Sequence, residues 1–300
     1  MAHTPPQIDR IQGPIRKELG LLERELERIL TSDVGLIQGI GEHLLAIKGK
    51  RVRPVLLFLA SHLGRPDPER AVKAGVAIEL IHTATLLHDD SIDKSDLRRG
   101  LPTVNKLWDE QVSVIMGDHL FCKAFKLLHE ADLKEVAGVM VEGSDRMTFG
   151  EMYQMDKRGD CDMTEEEYID VIRHKTAALF STACEAGALI GGLAPGARES
   201  LRAYGDSVGI AFQIIDDVLD FVGDTERMGK PVGNDVRDGR VTLPMIAAFR
   251  NAPVGETSTM RSFVCGDDFP ESRWKDALEF IEKHGGIEYA RDLCGRLVEN

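Results

Sequence analysis

Apolar residues recur at intervals of three and four along most of the chain, and sustained two-residue alternation is hard to find. Ile15, Leu19, Leu22, Leu26, Ile29 and Leu30 make one such stripe over residues 15–31. The same period predicts helices over 68–88, 107–130, 133–157, 164–192, 197–222, 240–250 and 272–297. Pro68 stands where a first-turn proline is tolerated, because its missing N–H has no helical partner there. Thr164 and Glu167 have the spacing of a capping box, which predicts a helix start. Most connections are short. The exceptions are 223–239 and 251–270, lengths that in compact domains often mark lids or binding loops. The pattern predicts an all-α fold, one helical domain over residues 1–300.

Length and composition leave this picture intact and narrow the function. The 300 residues are 43% hydrophobic and 29% charged, proportions usual for a soluble globular protein. No apolar run approaches the roughly 20 residues that span a bilayer. Met1 to Arg10 lacks a basic stretch followed by an apolar core, so no secretory signal is expected and a cytoplasmic location is. The five cysteines, Cys122, Cys161, Cys184, Cys265 and Cys294, are scattered and odd in number, with no CxxC pair. That spacing predicts no disulfide framework. A net charge of −13 argues against nucleic acid as a partner, since a phosphate backbone needs a basic surface.

Two acidic clusters change the picture. Leu86-Leu87-His88-Asp89-Asp90-Ser91-Ile92-Asp93 and Ile214-Ile215-Asp216-Asp217-Val218-Leu219-Asp220 are both DDxxD, each after an apolar helical stretch. On a helix, positions four apart share a face, so Asp89 neighbours Asp93 and Asp216 neighbours Asp220. Like charges so placed repel and call for a cation. An all-oxygen ligand set suits Mg²⁺, which takes one or two carboxylates and completes its shell with water and phosphate. Facing each other, two such clusters would bridge a polyphosphate. One isolated DDxxD is usually a solvated face; its repetition after buried-looking residues points to a site. The cations for the other half of that site are at hand. Lys50, Arg51 and Arg53 cluster between Gly49 and Pro54, at an expected helix N-terminus that itself attracts anions. Arg98 and Arg99 follow the first cluster, Lys175-Thr176 lies within a helix, and Lys230 and Arg240 follow the second cluster. No GxxxxGK[ST] segment is present, which excludes a P-loop nucleotide site.

In order along the chain, these segments resemble the trans-isoprenyl (polyprenyl) diphosphate synthase family. They are GKRxRP at 49–54, IHTxxLLHDDxxD at 81–93, RRG at 98–100 and GExxQ at 150–154. KT at 175–176, FQxxDDxxD at 212–220 and GKxxGxDxxxGRxTLP at 229–244 complete the set. The resemblance implies a single helical bundle around a central apolar cavity. It implies that Asp89, Asp93 and Asp216, with Asp90, Asp217 and Asp220 less directly, hold Mg²⁺ on an allylic diphosphate. Lys50, Arg53, His82 and Arg99 would bind isopentenyl diphosphate. Arg98, Lys175 and Lys230 would grip the allylic diphosphate, and Thr176 and Gln213 would face its reacting carbons. Arg240 would serve the substrate where the family usually has lysine, which keeps the charge and alters the geometry. Arg51 is the weaker candidate, because Lys50 and Arg53 occupy the matching positions. The family likeness also implies a homodimer and a transient membrane contact for product release. It leads one to expect a basic tail beyond Asn300, so that either the chain is cut short there or closure of the site relies on other residues.

Product length is read from the turn before Asp89. Short-chain members of the family commonly carry aromatic rings there; Ala84 and Thr85 are small, with Ile81 a further turn back, so a product of six or more isoprene units is expected. Met116, Phe121 and Phe125, on a neighbouring helix, are the candidates for stopping the growing chain earlier. A farnesyl or geranylgeranyl diphosphate synthase is the nearest alternative. A terpene cyclase shares the first motif, but Lys50, Arg53 and His82 speak against it. A non-catalytic subunit would be expected to lack carboxylates that are complete here, and a helical scaffold leaves the paired cations unexplained.

Overall fold

The computed structural model describes residues 6–47, 49–223, 232–266 and 269–299. Helices α1 (Pro6–Gln12), α2 (Arg16–Leu30), α3 (Gly35–Ala46), α4 (Val52–Ser61) and α5 (Pro68–Ile92) come first. A two-stranded ribbon, β1 (Leu97–Arg98) and β2 (Leu101–Pro102), leads into α6 (Val104–Leu107), α7 (Glu110–Glu130) and α8 (Lys134–Asp156). Then follow α9 (Glu165–Ile172), α10 (Ala178–Ile190), α11 (Pro195–Val222) and α12 (Asn234–Arg237). The last are α13 (Leu243–Asn251), α14 (Val254–Val264), α15 (Trp274–Lys283) and α16 (Gly286–Glu299). The all-α class expected from the periodicity holds.

The chain divides into two compact units, Met1–Ser144 with Leu179–Gly205 and Asp145–Ala178 with Asp206–Asn300. In the first, α5 is buried on nearly every face, from Ala71 and Val72 through Ile78, Leu80 and Ile81 to Ala84 and Leu87. A helix apolar all round is a central one. The amphipathic α2 lays Leu22, Leu26 and Leu30, spaced by one turn, into the same unit's core. Close packing of α7 on α5 depends on Gly117: a Cβ there would lie 2.3 Å from Nε2 of His88 and 3.1 Å from the carbonyl oxygen of Ala84.

In the second unit, Tyr168, Ile172, Ile214, Val218, Phe221, Leu243, Phe280 and Ile281 share one core. Thr164 and Glu167 form the expected capping box. Several expectations need correction. The segment 251–270 contains a helix, α14, whose Met260 and Val264 are buried in this core. Residues 272–297 are two helices, because Gly285 takes φ +69° and ends α15. The stretch 164–192 is not one regular helix either. Between α9 and α10 lies a π-turn, Arg173–Ala177, in which the Ala178 N–H donates to the Arg173 carbonyl. Finally, Cys161 and Cys265 are joined by a disulfide, their Cα atoms 5.9 Å apart and 104 residues apart in sequence. Scattered spacing hid that pair, because the partners meet only through the tertiary fold.

Candidate active site

The first acidic cluster forms the last turn of α5. Asp89 is half-buried and Asp93, the helix cap, is exposed; the Asp93 N–H donates to the Asp89 carbonyl at 2.8 Å. No basic residue occupies that last turn. Carboxylates therefore add to the negative end of the helix dipole, an arrangement that favours a bound cation. Asp90 is rotated about 100° from Asp89 around the helix and is only 3% exposed. Arg98 clasps it with Nη2 at 2.6 Å and Nε at 2.9 and 3.0 Å from its two oxygens. Burial works against the Arg98 charge, but the pair with Asp90 outweighs it and pushes Arg98 up.

Arg98 reaches that position through the ribbon. Arg99 and Gly100 both have positive φ, 52° and 77°, the conformation of a type I′ turn matched to the twist of a hairpin. The RRG segment is thus a turn as well as a charge cluster. Arg99 then lies over Gly49, where a Cβ would come within 2.8 Å of Nη1. Arg51, His82, Arg98 and Arg99 line one pocket of this unit with Glu79 and Asp90. Arg51 itself is committed to the scaffold: it bonds Glu79 at 2.6 Å and Glu23 at 2.8 Å, holding a left-handed residue at the start of α4. Arg53 lies over the Phe180 ring at 4.7 Å, and its enclosed Nε has no hydrogen-bond partner among the described residues. Burial lowers Arg53 to about 10. Burial and then the guanidiniums, Arg53 first, hold His82 well below its ordinary range. Lys50 is exposed.

A neutral His82 has a measurable consequence. Its folded pKa is depressed, so as pH falls through about 6.5 the unfolded chain takes a proton that the folded chain refuses. Stability is expected to drop on that acid side, and the His82 ring resonances should stay in the neutral form from pH 8 to pH 6. Titration of His82 near 6.5 in an NMR spectrum would contradict this burial argument.

In the second unit, Asp216, Asp217 and Asp220 close α11, again with no basic residue in the last turn. Asp216 is half-buried, while Asp217 and Asp220 are 4% and 1% exposed. Asp220 anchors the following segment: its carbonyl accepts from the Gly233 N–H at 2.7 Å and its Oδ2 from the Asp235 N–H at 3.0 Å. Asp217 accepts from Tyr168 at 2.6 Å and from Gln213 at 2.7 Å. Burial pushes Asp217 up, and Asp235 adds repulsion in the same direction. Thr176 donates to Gln213 at 2.8 Å. Lys175, one residue back on the π-turn, bonds Gln154 at 2.6 Å and Glu151 at 2.5 Å. Arg240 approaches Asp235 and Asp238, each at 3.5 Å.

The GExxQ and KT segments are therefore one device. Gly150 admits the π-turn against α8, since a Cβ there would fall 2.2 Å from the Lys175 nitrogen. Glu151 and Gln154 then hold the Lys175 ammonium. Gly150→Ala is expected to destabilise the protein by about 2 kcal/mol, because a rigid Cβ meets backbone that cannot rotate aside. A thermal melt unchanged from wild type would refute that account.

Carboxylate oxygens at two base-free helix ends fit a hard divalent ion. Among the described residues, no three acidic, histidine or cysteine side chains converge as a cage. Mg²⁺ does not need one, because phosphate and water fill most of its octahedron.

Residues 34–281 match the polyprenyl synthetase family. The chain belongs to that family. An octaprenyl diphosphate synthase of Escherichia coli (strain K12) is 38% identical over 284 residues, which cover 95% of this chain and 88% of that one. A short chain isoprenyl diphosphate synthase of Methanothermobacter thermautotrophicus is 40% identical over 257 residues, covering 84% and 78%. Among solved structures, a polyprenyl synthase from Caulobacter crescentus CB15, complexed with calcium and isoprenyl diphosphate, has a TM-score of 0.93 and 34% identity. That match covers 97% of this chain and 89% of that one. The protein is a polyprenyl diphosphate synthase by descent, with relatives that make both short and long products.

Within this synthase, the first unit gathers His82, Arg98, Arg99 and Asp90, and the second gathers Lys175, Thr176, Gln213, Asp216 and Asp217. Lys230 lies outside the described residues. Two partners were missed by the sequence reading. Glu79, 4% exposed, is one turn before His82 and Thr83 on α5, a buried acid inside an apolar run. Tyr168 carried no motif, and only its place on the buried face of a well-capped helix set it apart.

Proposed function

We propose that this chain condenses isopentenyl diphosphate with an allylic diphosphate in a Mg²⁺-dependent reaction, releasing pyrophosphate and an all-trans polyprenyl diphosphate. The observation that carries two substrates rather than one is Arg53. A guanidinium with an enclosed, unpartnered Nε, beside His82 and Arg99, calls for an anion of its own, apart from the one the aspartates would bind. A terpene cyclase has no use for that second anion.

Asp89, Asp93 and Asp216 would hold the metal, with Asp90, Asp217 and Asp220 supporting them. Bound Mg²⁺ supplies charge stabilisation to the departing pyrophosphate. Lys175, from the π-turn, grips the same diphosphate, and Lys230 and Arg240 are assigned to it by family likeness. The allylic C–O bond breaks and the electron pair leaves with pyrophosphate. The double bond of isopentenyl diphosphate, held through Lys50, Arg53, His82 and Arg99, attacks the allylic cation, and the proton then lost goes to pyrophosphate. The good carboxylates are committed elsewhere, so no side chain is assigned as the base. Thr176 and Gln213 face the reacting carbons, within a hydrogen-bonded chain that fixes both.

We infer a product of six or more isoprene units, on the small side chains Ala84 and Thr85. Ala84 has no exposed surface, so a ring there must displace a neighbour; Thr85 keeps some exposure, and Thr85→Phe is the substitution that tests the length. We also infer a homodimer. Exposed apolar side chains on the first unit, Ile115 at 67% and Val141 at 54%, support it. One incubation with farnesyl diphosphate, labelled isopentenyl diphosphate and Mg²⁺ decides the class. Chain-extended diphosphates are expected. A cyclised hydrocarbon or no turnover would overturn the assignment, and a product stopping at geranylgeranyl diphosphate would overturn the length.

A further inference from the structure

The second acids of the two motifs are both buried, yet their partners differ in kind. Asp90 is held by the Arg98 guanidinium. Asp217 is held by neutral donors: the Tyr168 hydroxyl reaches Oδ2 at 2.6 Å and the Gln213 amide reaches Oδ1 at 2.7 Å. Tyr168 is 3% exposed and comes from α9, 49 residues away in sequence. Gln213 is itself fixed, by the Thr176 hydroxyl at 2.8 Å. Both oxygens of Asp217 are therefore clamped from two directions, and neither donor brings a positive charge.

We propose that Tyr168 is a positioning residue for the metal-binding end of α11. Asp216 and Asp217 are consecutive, so fixing the direction of one fixes the other about 100° around the helix. Asp235 and Asp216 both repel Asp217. Without the donor on Oδ2, one side of the Asp217 carboxyl group loses its anchor to α9. A cationic clamp would hold the carboxylate equally well, but it would also cancel negative charge beside Asp216, where a dication is to bind. A phenol holds the group without placing a positive charge beside Asp216. Groups that orient metal-binding residues in this way typically account for 10–100-fold in metal affinity.

The proposal rests on the metal-dependent reading above, and the test separates the two. Mg²⁺ with inorganic pyrophosphate is titrated calorimetrically into wild type, Tyr168→Phe and Tyr289→Phe, at a temperature where all three are folded. Tyr289 is the control: its hydroxyl also bonds a carboxylate, Glu165, at 2.7 and 2.8 Å in the same unit. Wild type and Tyr289→Phe are expected to bind alike, and Tyr168→Phe at least ~10-fold more weakly. Equal affinity in all three overturns the positioning role and leaves the metal reading standing. Absence of binding to wild type overturns both. Weakening by Tyr289→Phe equal to that by Tyr168→Phe reduces the effect to stability and overturns the role. Should Tyr168→Phe fail to fold, Gln213→Leu removes the other arm of the clamp and is expected to weaken Mg²⁺-pyrophosphate similarly; unchanged affinity there overturns the proposal.

Discussion

Asp89→Ala, and separately Asp216→Ala, should lower turnover on the order of 10³-fold while leaving the helical circular-dichroism spectrum and the melting temperature close to wild type. Each side chain is only half-buried, at a helix end with no base in its last turn. Removing it takes no packing from the core. It even relieves repulsion between Asp89 and Asp93, four residues apart. What is lost is stabilisation of charge that develops only as pyrophosphate departs, and single contributors of that kind carry 10²–10³ in rate. Incorporation of labelled isopentenyl diphosphate, measured with Mg²⁺ and with EDTA, checks it. Activity retained by both variants, or by wild type in EDTA, would end the proposed mechanism.

Arg53→Met, by contrast, should raise stability. The Arg53 charge is disfavoured where it sits, lowered to about 10 with an enclosed Nε unpaired. A base whose folded pKa is depressed costs stability at every pH below that value, and the cost is relieved only as pH rises through it. Methionine fills similar volume, keeps the contact with Phe180 and removes the charge. The expected gain is ~1–3 kcal/mol at neutral pH, a rise of several degrees in melting temperature. The same variant should raise the KM for isopentenyl diphosphate by about 10²-fold, as loss of a charged hydrogen bond in a buried site does, with little change in the KM for the allylic substrate. A variant both less stable and unaltered in KM would show that the charge is satisfied by the protein itself. The first unit then carries strain for the sake of its ligand, a common exchange at functional sites.

Helical period was legible wherever an apolar stripe was long, as in α2, α5 and α11, and the i, i+4 spacing of the aspartates marked where the acidic clusters fall on their helices. What stayed hidden depended on distant partners. The helix Val254–Val264 has a polar sequence, and its two buried side chains, Met260 and Val264, owe their helix to a core assembled from elsewhere. Periodicity shows that Asp90 and Asp217 turn off the faces that carry Asp89 and Asp216. It cannot show that a hairpin delivers Arg98 to one, or that Tyr168 reaches the other. The break at Gly285 had a local signal in His284-Gly285-Gly286, overridden by a period that ran through it. Cys161 and Cys265 had none.

The π-turn at Arg173–Ala177 implies a limit on how this chain can vary. One residue more than regular winding requires has been accommodated between α9 and α10. Deleting a residue there would let the two helices fuse into one unbroken α-helix, which by backbone hydrogen bonding alone is the better structure. The side chains of α10 would keep their faces, because the Ala178 N–H already closes on the Arg173 carbonyl, but those inside the turn would be redistributed, carrying Thr176 away from Gln213 and Lys175 away from Glu151. Length is therefore under tighter constraint in this segment than residue identity. Neutral substitutions can accumulate at its exposed positions, whereas a single-codon deletion would yield a regular helix and a silent enzyme.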